Sequence, residues 1–289
     1  MQTVLVPTLN DDQFDFLRMF QIWEVVSQYP GGTRFDFTHC RFLRPNAVAF
    51  LGGLARLAQN YNVPIVFDWN TVQNAILANL CQCGFAMSFG HPSPGWNGNS
   101  IPFREDRISA ANPILDYLTD QWLGRGWVQV SPLLKDAIVG KVWEIYANSF
   151  EHSSSVVGVY SCGQYYGAMN QLVLSVVDFG IGIPSKIRSF LQSDPRSQNL
   201  LSSACLEWAL QSGNTTSVKL GVARGLGLDL LKEFLRVNDG SLEIYSNNGY
   251  AIVDRNGERY QDLNSSFSGT AVQIKLKCDE TLYHFRDEI

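Results

Sequence analysis

Short apolar runs alternate along the chain with longer stretches whose apolar residues recur every three or four positions. Residues 3–9 read as a strand. Asp11 or Asp12 can cap a helix to about residue 28, with Phe14, Leu17, Ile22, Val25 and Val26 as its apolar positions. Tyr29-Pro30-Gly31-Gly32 stops it. Strands over 34–37 and 63–68 enclose a helix over 47–60, which Gly52-Gly53 weakens. A helix over 72–83 ends at Gly84. This β-α-β-α-β-α order predicts a small α/β domain with a largely parallel sheet over residues 1–90. Residues 91–112 are rich in Gly, Pro, Asn and Ser and read as a linker, with His91 a loop residue. A second domain follows over 113–289.

In that second part a helix over 114–123 is broken by Gly124-Arg125-Gly126. Ser131 and Pro132 suit the cap and first turn of a long helix reaching Ser153. Strands follow over 156–162 and 172–177, the second apolar enough to be buried on both faces. Residues 183–219 hold helical pieces around 185–191 and 200–211 and a polar SGNTTS stretch, and read as a lid. A helix starts after Gly227. Strands over 241–246 and 250–254 flank Asn247-Asn248-Gly249 as a hairpin. Val272, Ile274 and Leu276 alternate as in a half-buried strand.

Composition narrows the class. The 289 residues suffice for one large domain or two ordinary ones, and 45% hydrophobic against 17% charged residues argues for a sizeable core. Net charge of −5 gives no footprint for nucleic acid or an anionic membrane. No apolar run would span a bilayer, and MQTVLVPTLNDDQ lacks the regions of a signal peptide. The six cysteines are scattered. Cys81-x-Cys83 has no matching Cys/His pair, so the thiols read as structural and the expected location is the cytoplasm.

Chemistry concentrates in the second part. Glu144, Asn148 and His152 share one helix face. Alone, such a stripe is an ordinary solvated face. Asp178 stands at a strand end, where a carboxylate can accept from an exocyclic amine, and Gly180 and Gly182 allow tight turns behind it. Gly225-Leu226-Gly227-Leu228 sits at a helix start, where free N–H groups favour phosphate. The spacing from Gly221 also fits a short-chain dehydrogenase turn. That turn should follow an N-terminal strand with most of the fold downstream, and no Tyr-x3-Lys follows here.

Taken in order, Glu144-x3-Asn148-x3-His152, Asp178-x-Gly180-x-Gly182, Gly225-x-Gly227-Leu228 and Gly269-Thr270 resemble the N, G1, G2 and G3 boxes of the GHKL ATP-binding domain. That domain is shared by type II topoisomerases, the ninety-kilodalton heat-shock chaperone, mismatch-repair ATPases and histidine kinases. The resemblance covers about half the chain and implies an α/β sandwich, a mixed sheet with helices on one face. It implies ATP and Mg²⁺ as cofactors. Asn148 would ligate the metal, and Glu144 would act on water or a hydroxyl as the catalytic group. Asp178 would hold the adenine amine with Thr270 in support, and Gly180 and Gly182 would shape its pocket. Gly225, Leu226, Gly227 and Leu228 would cradle phosphate, with Lys219 and Arg224 as phosphate contacts. His152 matches the anti-sigma version of the first box. The His residues before Glu144, at 39 and 91, lie on no coiled-coil pattern, which disfavours a two-component sensor.

The segment FDFTHCRFLRPNAVAFLGGLARLA resembles the core of the STAS family of anti-sigma-factor antagonists, through Asp36-Phe37-Thr38 and Phe42-Leu43. Arg44-Pro45-Asn46-Ala47 stands where that family carries its phosphorylatable serine. The two resemblances together imply a slow ATPase whose lid closure regulates a protein partner. A serine/threonine kinase of the anti-sigma type is the second expectation. A non-catalytic ATP-gated sensor of a regulatory or defence system is the third. Many members of the GHKL family dimerise, so the resemblance leaves a homodimer open, although no surface in the sequence identifies an interface.

Overall fold

The computed structural model describes residues 1–96, 98–214 and 228–288. The first part of the chain runs β1 (Gln2–Leu5), α1 (Gln13–Gln28), β2 (Thr33–Asp36), α2 (Pro45–Asn60), β3 (Ile65–Phe67), α3 (Asn74–Gln82) and the single turn α4 (Phe85–Ser88). The Asp12 carboxylate caps α1 by accepting from the Asp15 N–H at 2.9 Å. Pro45 opens α2, where its missing N–H leaves no bond unmade. The strands lie parallel in the order β1-β2-β3, as the expected alternation of elements requires.

The second part runs β4 (Ser100–Asp106), α5 (Ala111–Asp116), a π-helical turn over Tyr117–Trp122, α6 (Pro132–His152), β5 (Val159–Tyr166), β6 (Gln171–Asp178), α7 (Ile183–Phe190), α8 (Ser202–Leu210), α9 (Asp229–Asn238), β7 (Ser241–Asp254) and β8 (Gly257–Lys277). Ser131 Oγ accepts from the Leu134 N–H at 3.2 Å, so α6 starts where its cap residues place it. The chain is thus of mixed α/β class, with a second sheet of five strands in the order β4-β5-β6-β8-β7.

Four expectations change here. The sheet expected to be mixed is antiparallel at every described pairing. The expected linker contains β4, which pairs with β5. Pro102 and the charged Arg104, Glu105 and Asp106 disguise it, and all suit its place at the sheet edge. The hairpin expected at Asn247-Asn248-Gly249 is instead an irregularity inside one long strand, β7, with Asn247 at φ +50°. The reversal comes at Arg255-Asn256, where Asp254 pairs with Gly257. Finally, helices cover both faces of the sheet rather than one. Leu172, Leu174 and Val176 of β6 join Ile138 and Val142 of α6 and Leu231 and Leu235 of α9 in one core. Tyr160, Cys162 and Val177 on the opposite face join α1 and α2 in another.

The second face is where the N-terminal part seats. Phe16 stacks on Tyr245 with ring centroids 3.7 Å apart, Phe20 stacks on Phe267 at 4.6 Å, and Phe50 meets Phe179 at 5.1 Å. The paired glycines in α2 belong to this contact. A Cβ at Gly52 would lie 2.5 Å from the Phe103 ring, and one at Gly53 would lie 2.4 Å from Phe179 and 2.6 Å from Tyr160. Helix propensity alone favours Gly53→Ala by about 1 kcal/mol. Overpacking at the sheet outweighs that gain, so the variant should lose about 1–2 kcal/mol on denaturant unfolding. A stabilised Gly53→Ala would refute close packing of α2 on the sheet.

Candidate functional site

Asp178 is the last residue of β6 and its carboxylate is fully buried. Ser149 Oγ donates to its Oδ2 at 3.0 Å, and the Gly180 N–H donates to its Oδ1 at 3.0 Å. Each oxygen keeps further accepting capacity. Burial pushes the carboxyl up to about 7, against the downward pull of Gly180, Ser149 and Ser153.

The chain turns tightly after it. A Cβ on Gly180 would lie 2.0 Å from the Ser153 carbonyl oxygen, to which the Ile181 N–H donates at 2.7 Å. Gly182 sits at φ +80°, in the left-handed region that glycine adopts without strain. Asn247 holds this loop: its Nδ2 donates to the Ile181 carbonyl at 3.0 Å, and its Oδ1 accepts from Ser185 Oγ at 3.0 Å. On β8, Thr270 pairs with Asp178 across the ladder. Its hydroxyl lies 2.9 Å from Ser246 Oγ, which accepts from the Ile183 N–H. A Cβ on Gly269 would lie 2.1 Å from the Asp178 carbonyl oxygen.

These elements surround a cavity of about 100 Å³. Asn148 and His152 of α6 and Ser153 at its C-terminal cap line it with Asp178, Gly182 and Thr270. Ile145, Ile187, Ile244 and Val272 give it apolar walls, and Trp208 of α8 adds an aromatic one. Such a volume is below the roughly 300 Å³ of ordinary ligand pockets, so it suits a base rather than a whole nucleotide. Two wider clefts, of about 340 and 520 Å³, lie elsewhere. The smaller cavity is the stronger candidate because a buried carboxylate with unused lone pairs opens onto it.

The sequence-predicted residues divide as follows. Asn148, Asp178, Gly182, Leu228 and Thr270 converge on the cavity. Gly180 shapes it from behind. Asn148 is half-buried, and its carboxamide forms no hydrogen bond among the described residues. Glu144 does not line the cavity; its Oε1 accepts from Lys141 Nζ at 2.8 Å on the same helix. Lys219, Arg224, Gly225, Leu226 and Gly227 lie outside the described residues, whose flanking positions Asn214 and Leu228 both line the cavity. No group of three or more His, Cys, Asp or Glu side chains placed to hold a metal occurs among the described residues.

Sequence reasoning missed Ser149, Ser153, Lys186, Trp208, Ser246 and Asn247. The two serines were within reach, since they border Asn148 and His152 on α6. Lys186 and Trp208 come from helices whose approach no local pattern specifies. The His152 imidazole is held below its ordinary value by burial, with Glu151 opposing and Lys186 reinforcing.

A ligand that donates to the Asp178 carboxylate needs that group ionised. With the carboxyl near 7, affinity for such a ligand should drop about tenfold between pH 8 and pH 6. Protonation of His152 works the other way for an anionic ligand. Titration of His152→Ala over the same range removes the histidine contribution and leaves that of the carboxyl. A flat profile in the unsubstituted protein would mean that the carboxylate does not take the proton donor.

The sequence matches no protein-family model and no curated protein sequence.

Proposed function

We propose that the chain is a GHKL-type nucleotide-binding protein that holds ATP·Mg²⁺ at the Asp178 cavity and uses it to regulate a protein partner. The observation that carries this reading is the buried Asp178 carboxylate opening onto a base-sized, apolar-walled cavity. A carboxylate so placed accepts from an exocyclic amine. Gly180 and Gly269 leave room for nothing larger at the two turns that support it. The apolar walls of Ile145, Ile187, Ile244, Val272 and Trp208 suit the faces of an adenine base. Asn148 fits a metal that keeps several waters and takes its remaining ligands from phosphates, because its carboxamide has no described protein partner to give up. The bound metal would supply charge to the phosphates. Asp178 orients the base, Thr270 and Ser246 hold the turn beside it, and Trp208 shields one side from water. The N-terminal part is read as STAS-like, without a phosphorylatable hydroxyl at Pro45. Arg44 and Asn46 there are buried, with the Arg44 guanidinium 4.1 Å from the Tyr166 ring centroid.

A second reading, nucleotide binding without turnover, is favoured by the Lys141–Glu144 ion pair and by the absence of Glu144 from the cavity lining. Single-turnover assays with γ-labelled ATP separate the two. If Glu144 positions water or a hydroxyl, Glu144→Ala should lower turnover about 100-fold and leave affinity within about twofold. Asn148→Ala should weaken ATP only when Mg²⁺ is present. Label appearing on a protein rather than as free phosphate would assign a kinase. No turnover by the unsubstituted protein, with binding intact, would assign the non-catalytic module.

A further inference from the structure

The cleft of about 340 Å³ lies between α3, the loop before β4 and β5, away from the Asp178 cavity. Its size falls within the range of small-molecule sites, roughly 300–1,000 Å³. Phe42 and Trp96 line it, and both rings are well exposed for their type, at 39% and 50%. Arg41 also lines it, and its guanidinium forms no ion pair among the described residues.

Four carboxamides complete the wall: Asn79 and Gln82 of α3, Asn99, and Gln164 of β5. A hydrogen-bond chain fixes their orientation. Asn79 Nδ2 donates to Ser100 Oγ and to Gln164 Oε1, each at 3.2 Å. Ser100 Oγ donates to Gln82 Oε1 at 2.7 Å, and Asn99 Nδ2 donates to the Tyr165 carbonyl at 3.0 Å. The groups left without a partner among the described residues are two acceptors, Oδ1 of Asn79 and Asn99, and two donors, Nε2 of Gln82 and Gln164. The cleft therefore offers aromatic faces, held donors and acceptors, and a cation. Those are the three elements that stack a nucleobase, read its polar edge and take its phosphate.

We propose that this cleft binds a free mononucleotide, independently of the Asp178 cavity. A net charge of −5 argues against a polynucleotide as the source of the base. Because Phe42 and Asn79 come from the N-terminal part and Gln164 from the five-stranded sheet, the occupant touches both halves of the molecule.

The test is calorimetric titration of AMP, GMP, CMP and UMP into Asp178→Asn protein, in which binding at the Asp178 cavity should be at least about tenfold weaker. At least one should bind at one site per chain. In the same background Trp96→Ala and Arg41→Ala should each weaken it at least about tenfold. Both side chains are exposed, so their removal should leave the thermal midpoint unchanged. Failure of all four to bind at millimolar concentration would overturn the proposal. So would binding that ignores both substitutions.

Discussion

Asp178→Asn should stabilise the fold and weaken nucleotide binding at least about tenfold. Few substitutions are expected to move two properties so far in opposite directions. The native carboxyl lies near 7 and the unfolded one near 3.8. Below 3.8 both states hold the proton, and the native preference for it contributes its full stability. As pH rises from 3.8 towards 7 the unfolded chain releases the proton while the native chain keeps it. Stability therefore falls through that window and levels off above 7. Asparagine carries no charge to bury. Its Oδ1 can still accept from the Gly180 N–H, and its Nδ2 can donate to Ser149 Oγ. At pH 8 the variant should unfold about 2 kcal/mol later than the unsubstituted protein, and the gap should close towards pH 4. Binding should go the other way. An amide in that orientation turns a donor towards the amine of the base, so affinity for ATP should fall 10- to 100-fold or more, at roughly 1.5–3 kcal/mol for a hydrogen bond to a charged group. Denaturant titrations at pH 4, 6 and 8 check the first half, and calorimetry checks the second. A variant that is less stable at pH 8 would mean that the carboxylate holds the fold together rather than being held ready for a ligand.

Gly180→Ala should be among the most damaging single-methyl changes in the second part of the chain. The Cβ would meet the Ser153 carbonyl oxygen at 2.0 Å and its carbon at 2.5 Å. Both are backbone atoms at the end of α6, so no rotamer change relieves the clash. The loop must move away, breaking the Ile181 N–H to Ser153 bond and the Gly180 N–H to Asp178 bond. A buried carboxylate then loses one of its partners. The expected loss is at least about 3 kcal/mol, with nucleotide affinity lost in whatever remains folded. Gly213, where an added Cβ would meet nothing within 4 Å, makes the control, although its φ of +86° adds some backbone strain. If Gly180→Ala unfolds no earlier than Gly213→Ala, the close approach of the Asp178 loop to α6 is wrong.

Much of this arrangement is legible in the sequence, because it rests on local signals. The start of α6 follows from Ser131 and Pro132, and the parallel order of β1, β2 and β3 follows from alternation with helices. Asp178 was findable because an apolar run ends in a carboxylate followed by spaced glycines. What escaped were relations between distant segments. The glycine pair in α2 reads locally as a weak helix. Its meaning comes from Phe103, Phe179 and Tyr160, which lie at least fifty residues downstream. β4 escaped because an edge strand tolerates the proline and charges that argue against a central one. Asn247-Asn248-Gly249 misled because it has the composition of a hairpin turn. Here Asn247 takes its left-handed conformation inside a strand and spends its side chain on the Gly182 loop, while Arg255-Asn256 makes the reversal. Glu144 shares a helix stripe with Asn148, yet shared spacing does not make both side chains reach one cavity.

We propose that the Asp178 cavity takes the base of an adenine nucleotide. Calorimetric titration of ATP with Mg²⁺ into the unsubstituted protein and into Asp178→Asn at pH 8 tests it most directly. The first should bind at one site per chain and the second at least about tenfold more weakly, with GTP binding weakly because its base presents a carbonyl where adenine presents its amine. Equal affinity of the two proteins for ATP, or no binding to either, would contradict it.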